Sequence, residues 1–537
     1  MSQINPTRPK GATASSHLNY MGGPSWDVKN PVDRLRMIAS SCFFGEPQYY
    51  SEGTAAPKRR GRAVQGFDRY DDYYNTGLTS RQVDYLNETL QSLEPYSWRG
   101  LSSKEKMEKA IDEALGVSVK DTLQVAVDLR NNDYIRTTPQ VIMVRAANHP
   151  AAKGTGLITL YAPGIILRAD EPSVQLAYQL STYGKPIPNS LKKAWRAYLA
   201  NAKPYALGKY KMESRTVKTV DVVNLVHPAS EPVDMLSKGT LAPPATWEVR
   251  LSAAGSNPEA WAAAFEKDMG HMALLRNLRN LLTKSKVPQK EIAAKLVEGV
   301  ADGKQLPFRY WSAFKAIEGQ AQPVLLDAIE DCLRQSCANL AFPGRVMSLC
   351  DNSGSAWGTL TSEWGSVKVA EIANLTAVLT AFASEHGEVG VFGDRLSTFT
   401  VRKSQSVFDA LKEANRLGHG VGGNTENGIW LFWDQAIKSK THYDAVFVYS
   451  DMQAGHGGLY GTDTRAYREY AWEGRYIDVP KIINKYRSTV NPNVEVFLVQ
   501  VAGYQDTIVP EFYSHTHILG GWSEGILRYA QRYLTGQ

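Results

Sequence analysis

The sequence predicts a helical-repeat region over residues 31–340 and a doubly wound α/β domain over 341–537, behind a flexible lead-in over 1–30. Three observations carry this reading. Apolar residues recur every three or four positions through much of the first part. Beyond Pro343, short apolar runs alternate with amphipathic stretches. The overall charge of +6 also divides unevenly, with +9 on residues 1–340 and −3 on 341–537.

In the first part the helical period is visible in PVDRLRMIASSCFF (31–44), LTSRQVDYLNETLQSL (78–93), KEKMEKAIDEAL (104–115) and VKDTLQVAVDLRNN (119–132). It returns in NSLKKAWRAYLANA (189–202), QKEIAAKLVEGVADG (289–303) and QPVLLDAIEDCLRQSCANLAF (322–342). The stretch PEAWAAAFEKDMGHMALLRNLRNLL (258–282) reads as one long helix. Successive amphipathic helices without strong strands between them suit stacked helix pairs of HEAT-like type. In the second part, RVMSLCD (345–351), DAVFVYSD (444–451) and NVEVFLVQVAG (493–503) read as strands. EVGVFGDRLSTFTV (388–401) reads as a strand pair, and VKVAEIANLTAVLTAFASEH and SQSVFDALKEANRL as helices. Strands alternating with helices imply a parallel sheet covered on both faces.

Composition narrows the function classes. A chain with 43% hydrophobic and 21% charged residues is an ordinary globular protein. No run approaches the ~20 apolar residues of a membrane span, and the start lacks the apolar core of a signal peptide, so a cytoplasmic location is expected. Cys42, Cys332, Cys337 and Cys350 match no zinc spacing and are expected as reduced thiols. A basic knot at Lys58, Arg59, Arg60 and Arg62 is either a solvated loop or a phosphate contact. No phosphate loop, nucleophile elbow or zinc-protease helix is present, so the chain is not expected to be an enzyme.

Ligands of doubly wound sheets bind beyond the carboxyl ends of the strands. That rule selects three loops: Asp351-Asn352-Ser353-Gly354-Ser355, the glycine-rich Gly422-Gly423-Asn424-Thr425, and the one beginning at Asp451. Their hard oxygens suit Mg²⁺ at a solvent-facing site. The alternative is that these residues only cap helices and turns. Asp-x-Ser-x-Ser after a buried strand resembles the metal-ion-dependent adhesion site of the von Willebrand factor A domain. The resemblance implies hydroxyl ligands from Ser353 and Ser355, with Asp351 and Asp451 acting largely through water. Either Asn424 or Thr425 would stand where such sites carry a threonine.

Residues 187–228 hold a second constellation. On a continuous helix Lys192, Arg196 and Lys203 fall within about 40° of one another, beside an apolar stripe of Leu191, Trp195, Tyr198 and Leu199. Lys193, Lys209, Lys211, Arg215 and Lys218 add to the basic surface. A basic ridge beside a buried face is a phosphate-binding layout, and a solvated face is its plain alternative.

LKKAWRAYL, YALGKYK and DVVNLVHP in that order resemble the TROVE module of the Ro autoantigen family. Asn19-Tyr-Met-Gly-Gly-Pro-Ser-Trp26, the stretch Met269 to Leu278 (Met-x-x-x-x-Leu-Leu-Arg-Asn-Leu) and LPFRYWSAFKAI (306–317) resemble further family motifs. The chain is thus identified as similar to Ro proteins over nearly its whole length, as a bacterial member would be. The resemblance implies a monomeric ring of HEAT-like repeats (TROVE) closed by the A domain. It implies Y-like noncoding RNA on the outer surface, single-stranded ends of misfolded RNA in a central hole, and in bacterial relatives a link to a 3′ exoribonuclease. Arg276, Arg279, Lys209, Lys211 and His227 would line the hole, with Tyr210 stacking on an unpaired base. The plain alternative for Arg276 and Arg279 is pairing with carboxylates between repeats. The competing function is a protein-interaction scaffold that binds an acidic partner through the A-domain metal.

Overall fold

The computed structural model describes residues 16–18, 24–41, 103–358, 367–423, 426–452, 468–472, 476–503, 506–508 and 515–535. Its helical part starts with α1 (Pro31–Ser41), α2 (Ser103–Val117), α3 (Val119–Asn131), α4 (Thr137–Asn148), α5 (Leu157–Ile165), α6 (Glu171–Thr182), α7 (Asn189–Ala200) and α8 (Pro204–Lys209). It continues with α9 (Thr219–Val226), α10 (Glu231–Ser237), α11 (Trp247–Ala254), α12 (Pro258–Lys267), α13 (His271–Lys284), α14 (Gln289–Glu298), α15 (Pro307–Ile317) and α16 (Pro323–Ser336). Many helices pack on both the next and the next but one: α3 on α4 and α5, α5 on α7, α7 on α9, and α14 on α16. That is the stacking of helix pairs in a solenoid.

Two differences from the sequence reading have local causes. The helix expected over 258–282 breaks at Asp268-Met269-Gly270. There Met269 turns inward, Arg250 clasps the Asp268 carboxylate, and His271 opens the next helix. Lys203 does not share a helix with Lys192 and Arg196. α7 ends at Ala200, and Lys203, extended at φ −67°, ψ 149°, caps the helix that Pro204 opens. A residue before proline avoids the helical region, so the continuous helix was sterically blocked. The helix pattern of 78–93 and the knot at 58–62 lie outside the described residues, as does Cys42. Cys332, Cys337 and Cys350 are free thiols.

The second part is a six-stranded sheet. Its strands are β1 (Phe342–Asp351), β2 (Ser384–Phe392), β3 (Leu396–Thr400), β4 (Ala445–Ser450), β5 (Glu495–Gln500) and β6 (Thr516–Gly520). Their spatial order is β6-β5-β4-β1-β2-β3. All neighbours are parallel except the β2–β3 hairpin at the edge. The flanking helices are α17 (Val369–Ala383), α18 (Val407–Gly418), α19 (Glu426–Ser439), α20 (Val479–Thr489) and α21 (Glu524–Thr535). Burial on both faces explains the unbroken apolar runs of β4 and β5. The chain runs outward from β1 to β3 and returns to β4, so the strand order reverses between β1 and β4.

Both ends of the helical array grip this sheet. At the far end, Trp311 Nε1 and Lys315 Nζ of α15 donate to Glu371 Oε1 of α17 at 3.0 and 2.7 Å. Glu330 of α16 accepts from the Ser406 hydroxyl and, at 2.8 Å, from the Val407 N–H that opens α18. Phe314 and Phe408 rings lie 4.4 Å apart between them. At the near end, α1 packs on β6, where Val28, Met37 and Ile518 form a small core. The Ser40 hydroxyl donates to the Gly520 carbonyl at 2.7 Å. A Cβ on Gly520 would stand 2.4 Å from the Met37 carbonyl, so only glycine lets α1 come this close. Part of the expected flexible lead-in is also structured, because residues 24–27 pair with both 16–18 and 506–507. The helices therefore close on the α/β domain from two sides.

Asp133, after α3, is buried at the near-end contact and accepts a 2.6 Å hydrogen bond from the Ser523 hydroxyl. Burial pushes its carboxyl up to about 6, with the Ser523 bond and Arg36 pulling the other way. A raised acid contributes stability that is present below its unfolded value near 3.8 and is lost as pH rises through about 6. Asp133→Asn keeps an acceptor for Ser523 and removes the charge. It should therefore stabilise the protein by about 1–3 kcal/mol at pH 7.5 and by only about 0.5 kcal/mol at pH 4. Chemical denaturation at the two pH values checks this, and an equal effect at both would show that the Asp133 charge is not what costs stability.

Candidate metal centre and nucleic-acid interface

Asp351, the last residue of β1, sits at the reversal of strand order. Its Oδ2 accepts from the Ser450 hydroxyl at 2.6 Å and its Oδ1 from the Ser353 N–H at 2.9 Å. Burial pushes this carboxyl up, while Ser450, Ser353 and the Asp451 amide pull it down. Asp451 follows β4, and its carbonyl accepts from Gln500 Nε2 at the end of β5 at 3.0 Å. The carboxyl ends of three parallel strands are thus tied together by side chains. Ser450 joins the first two and was missed in the sequence. Its signal is a hydroxyl at the end of an otherwise apolar strand, next to the acid.

The glycine-rich loop meets this edge through its backbone. Gly354 N–H donates to the Gly423 carbonyl at 2.7 Å, and Arg395 N–H to the Val421 carbonyl at 2.9 Å. Gly422 takes φ +91°, and a Cβ there would lie 2.1 Å from Asp394 Oδ2. Beneath the loops, Asn352 exchanges hydrogen bonds of 2.7 and 2.9 Å with Asn374 of α17, which also donates to Asn415 of α18 at 2.8 Å. Asn424, Thr425 and the Ser355 side chain lie outside what is described. Asp351, Ser353 and Asp451 are 0%, 1% and 2% exposed, so the cluster is sunk below the surface and not solvent-facing as expected. Among the described residues no trio of His, Cys, Asp and Glu is placed to hold a metal. The hard-oxygen set of two carboxylates and a serine is compatible with an octahedral ion that retains water.

The basic stretch folds around α7. Leu191, Trp195 and Leu199 are buried, and Trp195 Nε1 donates to Gln175 Oε1 at 2.6 Å. Gln175 in turn donates to Gln140 Oε1 at 2.6 Å, so the apolar face is registered by buried amides. Lys193 and Arg196 are exposed and Lys192 is half-buried. The Arg196 guanidinium donates to the Val226 carbonyl, at the end of α9. The next residue, exposed His227, takes the left-handed conformation at φ 48°, ψ 58°. The ridge on α7 and His227 are therefore neighbours, although 30 residues separate Arg196 from Val226. Among the described residues, no carboxylate forms an ion pair with the side chain of Lys192, Lys193, Arg196, Lys203, Lys209 or Lys218, although the Lys218 N–H donates to Asp221 Oδ2 at 2.7 Å. Arg215 is exposed, whereas Lys211 Nζ donates to the Leu241 carbonyl at 3.2 Å.

Tyr210 departs from its expected role. The Arg168 guanidinium lies 4.3 Å from its ring centroid and is itself paired with Asp170 at 2.9 Å. Its half-buried ring is already stacked by the protein. Arg276 and Arg279 are exposed on α13, opposite the buried Leu274 and Leu278. Among the described residues neither pairs with a carboxylate, so the bridging alternative finds no support. They stand on a different stretch of the array from α7, with a separate hydrophobic core beneath.

Comparisons with known proteins agree with this architecture. The TROVE domain family model matches residues 232–325, a segment that includes α12 to α15 and both arginines of α13. No curated protein matches the chain at a significant level. Among solved structures it is similar to the crystal structure of the Deinococcus radiodurans RO (RSR) protein. The two share 14% identity and a TM-score of 0.54 over 79% of this chain and 93% of that one. This likeness is one of fold, and it includes helical repeats followed by an A-domain-like sheet. The chain thus contains a segment that matches the TROVE domain model, and it shares the fold of the Ro protein over most of its length.

Proposed function

We propose that this chain is a non-enzymatic RNA-binding protein of Ro type. It would hold a small structured, Y-like noncoding RNA on the α7–α9 surface and single-stranded ends of misfolded RNA in a central hole. The observation that carries the reading is the basic surface itself. Exposed lysines and arginines recur on α7, α8 and the approach to α9, with Arg196 bonded to the end of α9, and among the described residues Lys192, Lys193, Arg196, Lys203 and Lys209 form no ion pair with a carboxylate. Unneutralised cations in a cluster attract polyanions, and each phosphate contact releases counterions. RNA quality control, or tethering of a 3′ exoribonuclease in the cytoplasm, is the role that this binding would serve. Among the described residues no helix is long and apolar enough to cross a membrane.

The A-domain site is read as a second, separate function. Asp351, Ser353, Ser355 and Asp451, with Asn424 or Thr425, would hold Mg²⁺ or another divalent cation. A bound ion there would offer an open coordination position to water or to a partner's carboxylate. Asp351 and Asp451 hold the strand ends in register, and the Asn352–Asn374–Asn415 amides fix the serine loop above α17 and α18.

Three outcomes test the reading. The triple variant Lys192→Ala, Lys193→Ala, Arg196→Ala should weaken binding of structured RNA by at least tenfold at moderate salt. It should also lower the slope of log K against log salt by roughly 0.7–0.9 for each phosphate that the variant no longer neutralises. Filter binding across a salt series measures both, and an unchanged slope removes α7 from the footprint.

A duplex with a 3′ single-stranded tail should bind more tightly than the same duplex with blunt ends. Arg276→Ala with Arg279→Ala should erase that advantage and spare the structured RNA. Equal affinity of the wild-type protein for tailed and blunt duplexes would sink the hole as a single-strand site.

Mg²⁺ or Mn²⁺ at one hundred times its Kd should raise stability by about 2.7 kcal/mol, and Ser353→Ala with Ser355→Ala should abolish the shift. RNA affinity should be unaffected. A wild-type protein whose thermal transition ignores divalent ions would exclude the metal reading. Purified protein free of nucleic acid that binds acidic peptides only with the ion would favour the scaffold function instead.

A further inference from the structure

Tyr205 is 53% exposed although it is a large aromatic residue, and no role for it is legible in the sequence. It lies in the first turn of α8. Lys209, four residues on, holds its ammonium 5.7 Å from the centroid of the Tyr205 ring and 5.7 Å from that of Tyr210. The Arg168 guanidinium then lies 4.3 Å from the Tyr210 ring. Tyr205, Lys209, Tyr210 and Arg168 therefore form a run of alternating rings and cations. Its inner end is fixed, because Arg168 is held by Asp170 and the Tyr210 carbonyl accepts from the buried Thr219 hydroxyl. Its outer end is the exposed Tyr205 ring, flanked by exposed Lys203 and Lys209.

An exposed ring beside the Lys209 ammonium, two residues after exposed Lys203 in the chain, offers two complementary kinds of contact. The face of the ring accepts a π-surface, and every nucleobase presents one. The ammonium groups accept the phosphates on either side of that base. A duplex cannot use such a platform, since its bases are stacked on each other. Tyr210, the aromatic expected to stack a base, is already covered by Arg168, whereas Tyr205 is open.

We infer that Tyr205 is the stacking platform for one unpaired nucleotide of the bound RNA, with Lys203 and Lys209 contacting its flanking phosphates. The inference rests on the RNA-binding reading above and adds a position and a preference for an unpaired base.

The test uses the full chain and single-stranded oligoribonucleotides read by fluorescence anisotropy across a salt series. Tyr205→Ala should weaken binding by about 5- to 100-fold, the range that one base on one ring supports. It should leave the salt slope unchanged, because the lysines that meet the phosphates are all still present. Tyr205→Phe should bind within about twofold of the wild type. Lys209→Ala should lower the slope by about 0.7. With the unaltered protein, an abasic residue placed in turn along the oligonucleotide should reproduce the Tyr205→Ala loss at one position. At that position the two proteins should bind alike. RNA binding that survives Tyr205→Ala undiminished, or that no abasic position affects, overturns the inference and leaves the basic surface standing. A wild-type protein that binds no RNA overturns the parent reading instead.

Discussion

One parallel sheet holds both ends of a long helical array, and most of the structure follows from that constraint. An open array of stacked helices leaves an apolar face at each end, which a soluble protein must cap. Here α15 and α16 bury theirs against α17 and α18, and α1 buries its own against β6. Glu371 concentrates the first contact. One carboxylate accepts from Trp311, from Lys315 and from the Lys368 N–H at the start of its own helix. Losing it would strand a buried indole N–H, at a cost of about 1–3 kcal/mol. The hydrophobic interior is accordingly continuous from α12 into the sheet, whereas α1 to α10 have a core of their own.

The same helices carry the polar edge of the sheet. Asn374 lies one turn beyond Glu371 on α17, and Asn415 lies on α18, whose opening turn is held by Glu330. The loop of Asp351 and Ser353 thus rests on the two helices that the array grips. Parallel pairing puts the ends of β1 and β4 side by side, and the reversal of strand order opens space above them. The buried hydroxyl of Ser450 then lets two acids share that space by bonding one of them.

Where the sequence was legible, a repeating pattern or a local rule was responsible. The apolar runs of β1, β4 and β5 and the hairpin of β2 and β3 were visible because strand burial leaves a direct imprint. The acids at the strand ends followed from the rule for doubly wound sheets. α4 to α6 were not readable. α4 is buried on nearly all sides, so its apolar and polar residues do not alternate with the helical period. β6 was missed as well, since five residues containing Thr516 and His517 do not look like a core strand. The break at Gly270 and the end of α7 depended on tertiary partners and on Pro204. Pairings such as Arg196 with the Val226 carbonyl, or Arg168 with Tyr210, join distant segments and leave no trace in spacing. They redirect the expected roles of named residues more than they change the fold.

The hydrogen bond from Ser40 to Gly520 joins residues 480 positions apart. A ribosome delivers α1 long before β6. During translation α1 must therefore wait for this partner until about 480 further residues have emerged. Contacts of such separation form late, after the loop entropy has been met by everything between them. In that interval the apolar residues Val28 and Met37 lack the strand that covers them, and a nascent chain with this exposure is open to association with others. A chain that lacks residues 516–520 cannot complete this contact, and its α1 stays without that cover.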